Sequence, residues 1–452
     1  MILPTDAGAP LMSGTHRMIS NESTLRHMRT TMIACTFAAT AACGLSACKN
    51  PDRTTRYQDA STTTMKAVTT APAPNDNVRT TASDDAVATM PKSSAETIMK
   101  MADQSRLVST DSSSALDLQT IWQSTTAGSG TYGIESVHRI GNELIVADRN
   151  NVLTNLRLDS GDTIWKDGSL PRKETIFGID LFTTKGQDFY YITTDTDVFV
   201  IASETGYIVN RQNMVRIPDT TVIRAGENLI FGTASGRIVW HNTKVGYELK
   251  ANKLASGIVN GPIRVGKNVL AASVDGELMM MSARSGQRFW RKSLKVGIES
   301  PPTASNYAAY VADKGQRLTC LELESGQKLW QFFSPSPFVG GPITIGDRVF
   351  QFTESEGLSC FDALPLNSPQ GRKLWSNEDI QGEVVTAIGN DILIWNAERK
   401  MLARIDSDRG DVRSSTTLPM VSIVKASRDA QGKLLLIAAS NDGRLQLLES
   451  KN

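Results

Sequence analysis

Few residues of this chain have types and spacings that suit covalent or metal chemistry. Four His and five Cys are spread over 452 residues, and 48 basic residues face 47 acidic ones. His16 and His27 lie near the N-terminus, and His241 follows Trp240 in an apolar run, the setting of a satisfied core or channel-facing imidazole. Cys320 and Cys360 are too few for a disulfide framework and stand too far from any His cluster for a zinc site. Asp195, Asp197, Glu354 and Glu356 fall in hairpin turns, where carboxylates are expected to be solvated rather than catalytic. Neither a Ser-His-Asp arrangement nor a metal set can be assembled, so no catalytic, cofactor-binding or metal residue is expected and the chain reads as no enzyme. Its balanced charge offers no field to draw nucleic acid.

One cysteine has a different chemistry open to it. From Met28 the chain reads "MRTTMIACTFAATAACGLSACKN": a basic residue, a short run of small and apolar residues, then Leu45-Ser46-Ala47-Cys48. That order is a secretory signal, too short and too poor in large apolar residues for a membrane span. "LSAC" resembles the bacterial lipobox, which implies cleavage before Cys48 and a diacylglycerol on its thiol. Residues 1–47 are thus signal peptide and upstream residues, with Met18 or Met28 as alternative starts.

Residues 48–114 form a Thr-, Ser-, Ala-, Asp- and Pro-rich stretch with hardly an aromatic residue, read as a lipidated, disordered linker. A flexible chain of this length reaches roughly 40 to 50 Å. One interruption, Ser93 to Val108, opens with a capping box and could form two or three helical turns.

Residues 115–452 repeat themselves. A glycine turn recurs in "DSGDTIW", "ETGYIVN", "KVGYELK", "RSGQRFW", "ESGQKLW", "PQGRKLW" and "DRGDVRS", at Gly161, Gly206, Gly246, Gly286, Gly326, Gly371 and Gly410, spaced 39 to 45 residues apart. A second series of short apolar runs starts at Gly141, Gly186, Gly226, Gly266, Asn306, Gly346, Gly389 and Gly432. Hairpin signals such as Ser235-Gly236, Asp275-Gly276 and Asp442-Gly443 lie between the two. Four short strands per unit of about 40 residues is the signature of a β-propeller blade. Eight second strands against seven glycine turns leave one blade short of a strand, and Ala115 to Gln123 is the piece that fits, so the fold expected is an all-β, eight-bladed propeller closed by its N-terminal strand. Seven blades is the alternative if a degenerate unit is not a blade.

The glycine lets the chain take positive φ into the outermost strand, and the Trp four residues on is placed to pack on the neighbouring blade. Trp122, Trp165, Trp290, Trp330 and Trp375 are the expected structural docking residues, with Asn210, Lys250 and Ser414 in their place elsewhere. Cys320 and Cys360 share a register in adjacent blades, about 10 Å apart by sheet spacing and beyond disulfide reach.

The repeat resembles the tryptophan-docking motif of quinoprotein-type (PQQ-like repeat) propellers, with "ARSGQRFW" and "ELESGQKLW" its nearest copies. That family includes pyrroloquinoline-quinone dehydrogenases and the non-catalytic BamB lipoproteins of the outer-membrane β-barrel assembly machinery. The dehydrogenases carry long lid insertions and a vicinal Cys-Cys pair, and this chain has neither. Resemblance to the BamB family implies a protein-interaction scaffold without a cofactor, in the extracytoplasmic cell envelope, lipid-anchored to the outer membrane facing the periplasm. Its partners would be other envelope proteins, a β-barrel assembly protein among them. The alternatives on the same fold are a quinone-dependent redox enzyme and a ligand-sensing surface propeller.

Overall fold

The computed structural model describes residues 105–126, 133–365 and 368–451. Among these described residues, thirty-two strands form eight sheets of four antiparallel strands each. The first blade is β2 (Ile134–Ile140), β3 (Glu143–Asp148), β4 (Leu153–Arg157) and β5 (Thr163–Asp167). The second runs from β6 (Ile176–Thr184) to β9 (Ile208–Asn213), the third from β10 (Ile223–Ala225) to β13 (Tyr247–Lys253), and the fourth from β14 (Ile263–Val265) to β17 (Arg288–Ser293). The fifth spans β18 (Thr303–Ala304) to β21 (Lys328–Phe333), the sixth β22 (Phe338–Ile345) to β25 (Lys373–Asn377), and the seventh β26 (Glu383–Ile388) to β29 (Val412–Thr417).

The eighth blade is made from both ends of the described chain. Its first three strands are β30 (Val421–Arg428), β31 (Leu434–Ser440) and β32 (Arg444–Ser450), and its fourth is β1 (Leu118–Thr125), antiparallel to β32. First strands touch between blades one and two, five and six, six and seven, seven and eight, and eight and one, while shared buried clusters join blades two to three, three to four and four to five, so the ring closes. The expected eight-bladed all-β propeller with its N-terminal closing strand is what forms.

Sandwiching between neighbouring blades explains why the middle strands are apolar on both faces. In the third blade Leu229, Ile230 and Phe231 of β11 (Asn228–Gly232) are all buried, as are Ile238, Val239 and Trp240 of β12 (Arg237–Asn242). Alternation is kept only where one face meets water, as in β1, whose burial alternates along its length.

Every outer strand carries a bulge at the same place. Ile121, Ile164, Val209, Leu249, Phe289, Leu329, Leu374 and Arg413 are each skipped in the pairing with the third strand. A bulge re-aims the next side chain, and in five blades that side chain is a tryptophan turned over the following blade. Indole Nε1 donates to a backbone carbonyl there: Trp122 to Leu158 at 2.8 Å, Trp165 to Ser203 at 2.7 Å, Trp290 to Leu323 at 2.8 Å, Trp330 to Ala363 at 2.9 Å and Trp375 to Ser407 at 2.9 Å.

The turn glycine therefore has two duties. Gly161 and Gly326 have φ of +75° and +70°, and a Cβ on them would stand 2.6 Å from the ring of Trp122 and 2.8 Å from that of Trp290. Gly371 keeps only the second duty: its φ is not positive, yet a Cβ there would meet Trp330 at 2.7 Å. Positive φ therefore does not account for all seven glycines.

Where the repeat lacks its tryptophan, other residues take over. Trp240, on the third strand rather than the fourth, donates to the Ala283 carbonyl at 2.8 Å and replaces Lys250. Gln212 replaces Asn210, its Nε2 donating to the Thr243 carbonyl at 2.7 Å. At the seam after Ser414, the segment before β1 fills the gap. Leu107, Val108, Leu116 and Leu118 join Leu402, Leu418 and Leu436 in one buried cluster, and helix α1 (Thr110–Ala115), capped by Ser109, touches β29.

Packed chain thus begins ahead of Ala115. Val108 donates its N–H to Gln446 Oε1 at 2.8 Å and accepts from Gln446 Nε2 at 3.0 Å, deep in the eighth blade. Polar composition made Ser105–Ser114 read as linker, but its two large apolar residues, Leu107 and Val108, are the ones buried. Of the helix expected over Ser93–Val108, only Ser105–Val108 is described, and it is bent rather than helical.

Candidate interaction surface

The residues that could have done chemistry are occupied with structure. His241 is buried, its Nε2 2.9 Å from Gln212 Oε1, and burial lowers its pKa to about 4. Cys320 and Cys360 are free, buried thiols on the same face of adjacent blades, and burial pushes both up to about 12, so neither is a thiolate at neutral pH. No His, Cys, Asp and Glu cluster that could hold a metal is found among the described residues.

Of the four turn carboxylates expected to be solvated, Glu354 is exposed and the other three are not. Asp197 is 3% exposed and ion-paired to Arg211, which lies over the Phe199 ring. Glu356 pairs with Lys373 at 2.6 Å, and Asp195 has a buried Oδ1 without a partner. These groups stand where neighbouring blades and strands cover the turns, which removes the water that a free hairpin turn would have. Cys48 lies outside the described residues.

What the surface does offer is apolar area, gathered in one arc. Among the described residues, seven of the eighteen exposed large apolar side chains fall between Tyr207 and Leu249. On β9 and its turn they are Tyr207 and Val209, and on β13 and its turn Val245, Tyr247 and Leu249. Val215 and Ile217, 81% and 65% exposed, stand on the loop that leaves β9.

Local geometry gathers part of them. Tyr207 and Tyr247 directly follow the turn glycines, and Val209 and Leu249 are the bulged residues, so each pair points outward from its strand two residues apart. Arg216, between Val215 and Ile217, is ion-paired to Glu248, between Tyr247 and Leu249, which ties the loop against β13. The exposed Arg211, Lys250 and Lys253 edge the strip with positive charge.

Single exposed apolar residues are ordinary, whereas a gathered set edged by charge is the kind of surface that protein contacts use. The same two blades have Asn210 and Lys250 at the docking position. Loss of the outer tryptophan and gain of an outer tyrosine are thus one feature: the ring-to-ring seal moved inward to Gln212 and Trp240, and the outer strands became available. In the sequence "ETGYIVN" stands only as one more copy of the glycine turn, without its tryptophan. The paired signal, a tyrosine after the glycine in adjacent units that both lack the tryptophan, was present in the letters.

Comparison with known proteins bears on the fold and its kind. The family described as outer membrane protein assembly factor BamB matches residues 274–446. No curated protein matches the chain. Among solved structures, BamB from Moraxella catarrhalis superposes with a TM-score of 0.57 at 17% identity, covering 74% of this chain and 98% of that one. The computationally designed Ika8 protein superposes with a TM-score of 0.54 at 12% identity, covering 71% and 96%. Eight four-stranded blades and glycine–tryptophan docking make the chain an eight-bladed β-propeller, similar to the BamB family over residues 274–446.

Proposed function

We propose that this chain is a protein-docking propeller of the cell envelope that acts in outer-membrane protein assembly without catalysing a reaction. In this reading Cys48 carries a lipid that holds it to the outer membrane on the periplasmic side. The observation that carries the docking role is the apolar strip of Tyr207, Val209, Val215, Ile217, Tyr247 and Leu249 across the second and third blades. Support for the assembly role comes from the match to the BamB family over residues 274–446, and support for the anchor from the lipobox-like "LSAC".

A rigid ring suits this task. Its strip is held by strands rather than mobile loops, so binding costs little ordering entropy. The partner would be an envelope protein with an apolar face, a component of the β-barrel assembly machinery first of all.

The test is a photo-crosslinking side chain placed at Val215 in a tagged chain expressed in cells, with Val412 on the seventh blade as the control position. An adduct to a β-barrel assembly protein from position 215, absent from 412 and lost in Ile217→Asp/Leu249→Asp, is the expected result. Equal adducts from both positions, or none with an assembly protein, would refute the proposal. Labelling with an alkyne fatty acid, expected in the wild type and lost in Cys48→Ser, tests the anchor separately.

A further inference from the structure

The channel through the ring holds a second site, unrelated to the outer strip. Its wall is built from the first strand of each blade, and β2, β22, β26 and β30 are each hydrogen-bonded to a neighbouring strand on one side only. Their other edges therefore present backbone N–H and C=O groups to the channel, as an edge strand presents them to an incoming chain. A cavity of about 1110 Å³ opens against these edges, lined by blades one, two, six, seven and eight.

Its lining is sorted by chemistry. Val137, Ile179, Val339, Phe352, Trp395 and Ile423 supply apolar surface. Glu135, Glu354, Glu383 and Glu398 also line it, and all four stand at one end. Glu383 begins β26 and Glu135 lies near the start of β2, while Glu354 and Glu398 lie in the turns between the second and third strands of their blades. In an up-and-down blade those two places share an end.

Lys425 and Arg139 lie farther along their strands, toward the opposite end, where the Arg139 guanidinium is already bonded to the Gly141 and Arg428 carbonyls. Glu135 has only a long, exposed contact with Arg149 at 3.7 Å, and Glu354, Glu383 and Glu398 have no ion-pair partner among the described residues. In the wall the Ser427 hydroxyl also lacks a hydrogen-bond partner.

We propose that this funnel receives an extended peptide segment in which basic and apolar side chains alternate. Each part of the lining has its counterpart in such a ligand. The strand edges pair with the peptide backbone, the glutamate mouth with its cations, and the Val339 and Ile423 surface with its apolar side chains. An anionic segment would meet four like charges at the entrance.

The test uses the whole exported chain and two six-residue peptides, acetylated and amidated, one alternating Leu with Lys and the other Leu with Glu. Calorimetric titration compares the wild type, the funnel variant Glu354→Gln/Glu383→Gln/Glu398→Gln, and a control variant with as many carboxylates removed elsewhere, Asp159→Asn/Glu204→Gln/Glu324→Gln. The Lys peptide is expected to bind the wild type and the control alike, and the funnel variant about tenfold or more weakly. Equal binding of the two peptides, equal loss in the two variants, or no binding of the Lys peptide would overturn the proposal. Because none of the three funnel changes touches the outer strip, its crosslinks report independently.

Discussion

Acid should loosen this ring at His241. Gln212 commits its Nε2 to the Thr243 carbonyl, so its amide oxygen faces the imidazole and Nε2 of His241 carries the proton in the neutral ring. Burial lowers the pKa from 6.5 to about 4. In the unfolded chain the imidazole takes its proton near the ordinary value, so between these limits the unfolded state binds more protons. Stability is therefore full above the unfolded pKa and falls as pH drops through the window. At about 1.4 kcal/mol per pH unit, the loss approaches 3 kcal/mol near pH 4.

His241→Leu removes the titration and restores the apolar type found at this register in other blades, as Met281 and Leu321. It also leaves the Gln212 oxygen without its donor, a cost of about 1–3 kcal/mol at neutral pH. Denaturant unfolding of the two proteins between about pH 7 and pH 4.5 should show the wild type ahead at neutral pH and its advantage shrinking steadily with acid. Asp180, held up to about 6 by burial against the pull of Arg224, acts in the opposite sense, but it is common to both proteins and cancels in the difference. Parallel stability profiles across the window would refute the assignment of the acid sensitivity to this imidazole.

Trp240→Ala and Trp290→Ala should each cost about 3–5 kcal/mol, although only Trp290 sits in the repeat's register; a much smaller loss at Trp240, read by thermal unfolding, would deny its docking role. Gly326→Ala forces a Cβ against Trp290 at positive φ and should cost about 2 kcal/mol or more, with a double-mutant cycle against Trp290→Phe departing from additivity. Gln446→Leu strands both backbone groups of Val108 and should lower stability by about 2–4 kcal/mol, while hydrogen exchange at Leu107–Leu116 speeds up; unchanged exchange there would mean the segment is held by packing alone.

Architecture was legible because a propeller writes the same local chemistry once per blade. Glycine turns, apolar runs and hairpin pairs are short-range signals, and eight copies of a weak signal make a strong one. Even the closing strand could be found, since Trp122 repeats the outer-strand pattern. Seams between blades were less legible, because they join residues some forty positions apart and any donor of the right reach can serve. Gln212 and Trp240 do the work of a tryptophan from different strand positions, which no fixed spacing reveals. The interaction strip was hidden for the same reason: a missing tryptophan looks like decay until the stand-in beneath it is seen. Leu107 and Val108 were lost in a polar stretch, where two apolar residues carry no period.

Pairing β1 with β32 has a kinetic consequence. The two strands of this sheet stand about as far apart in sequence as the described chain allows, and their contact is the last that a chain made from its N-terminus can form. Until Arg444–Ser450 has been delivered, β1 has no partner and the seams on either side of the eighth blade are open to water. Such long-range pairing is slow and leaves edges exposed while it waits. A chain of this topology therefore waits as an unclosed arc, and its demand on holding factors should fall sharply once the final strand has emerged.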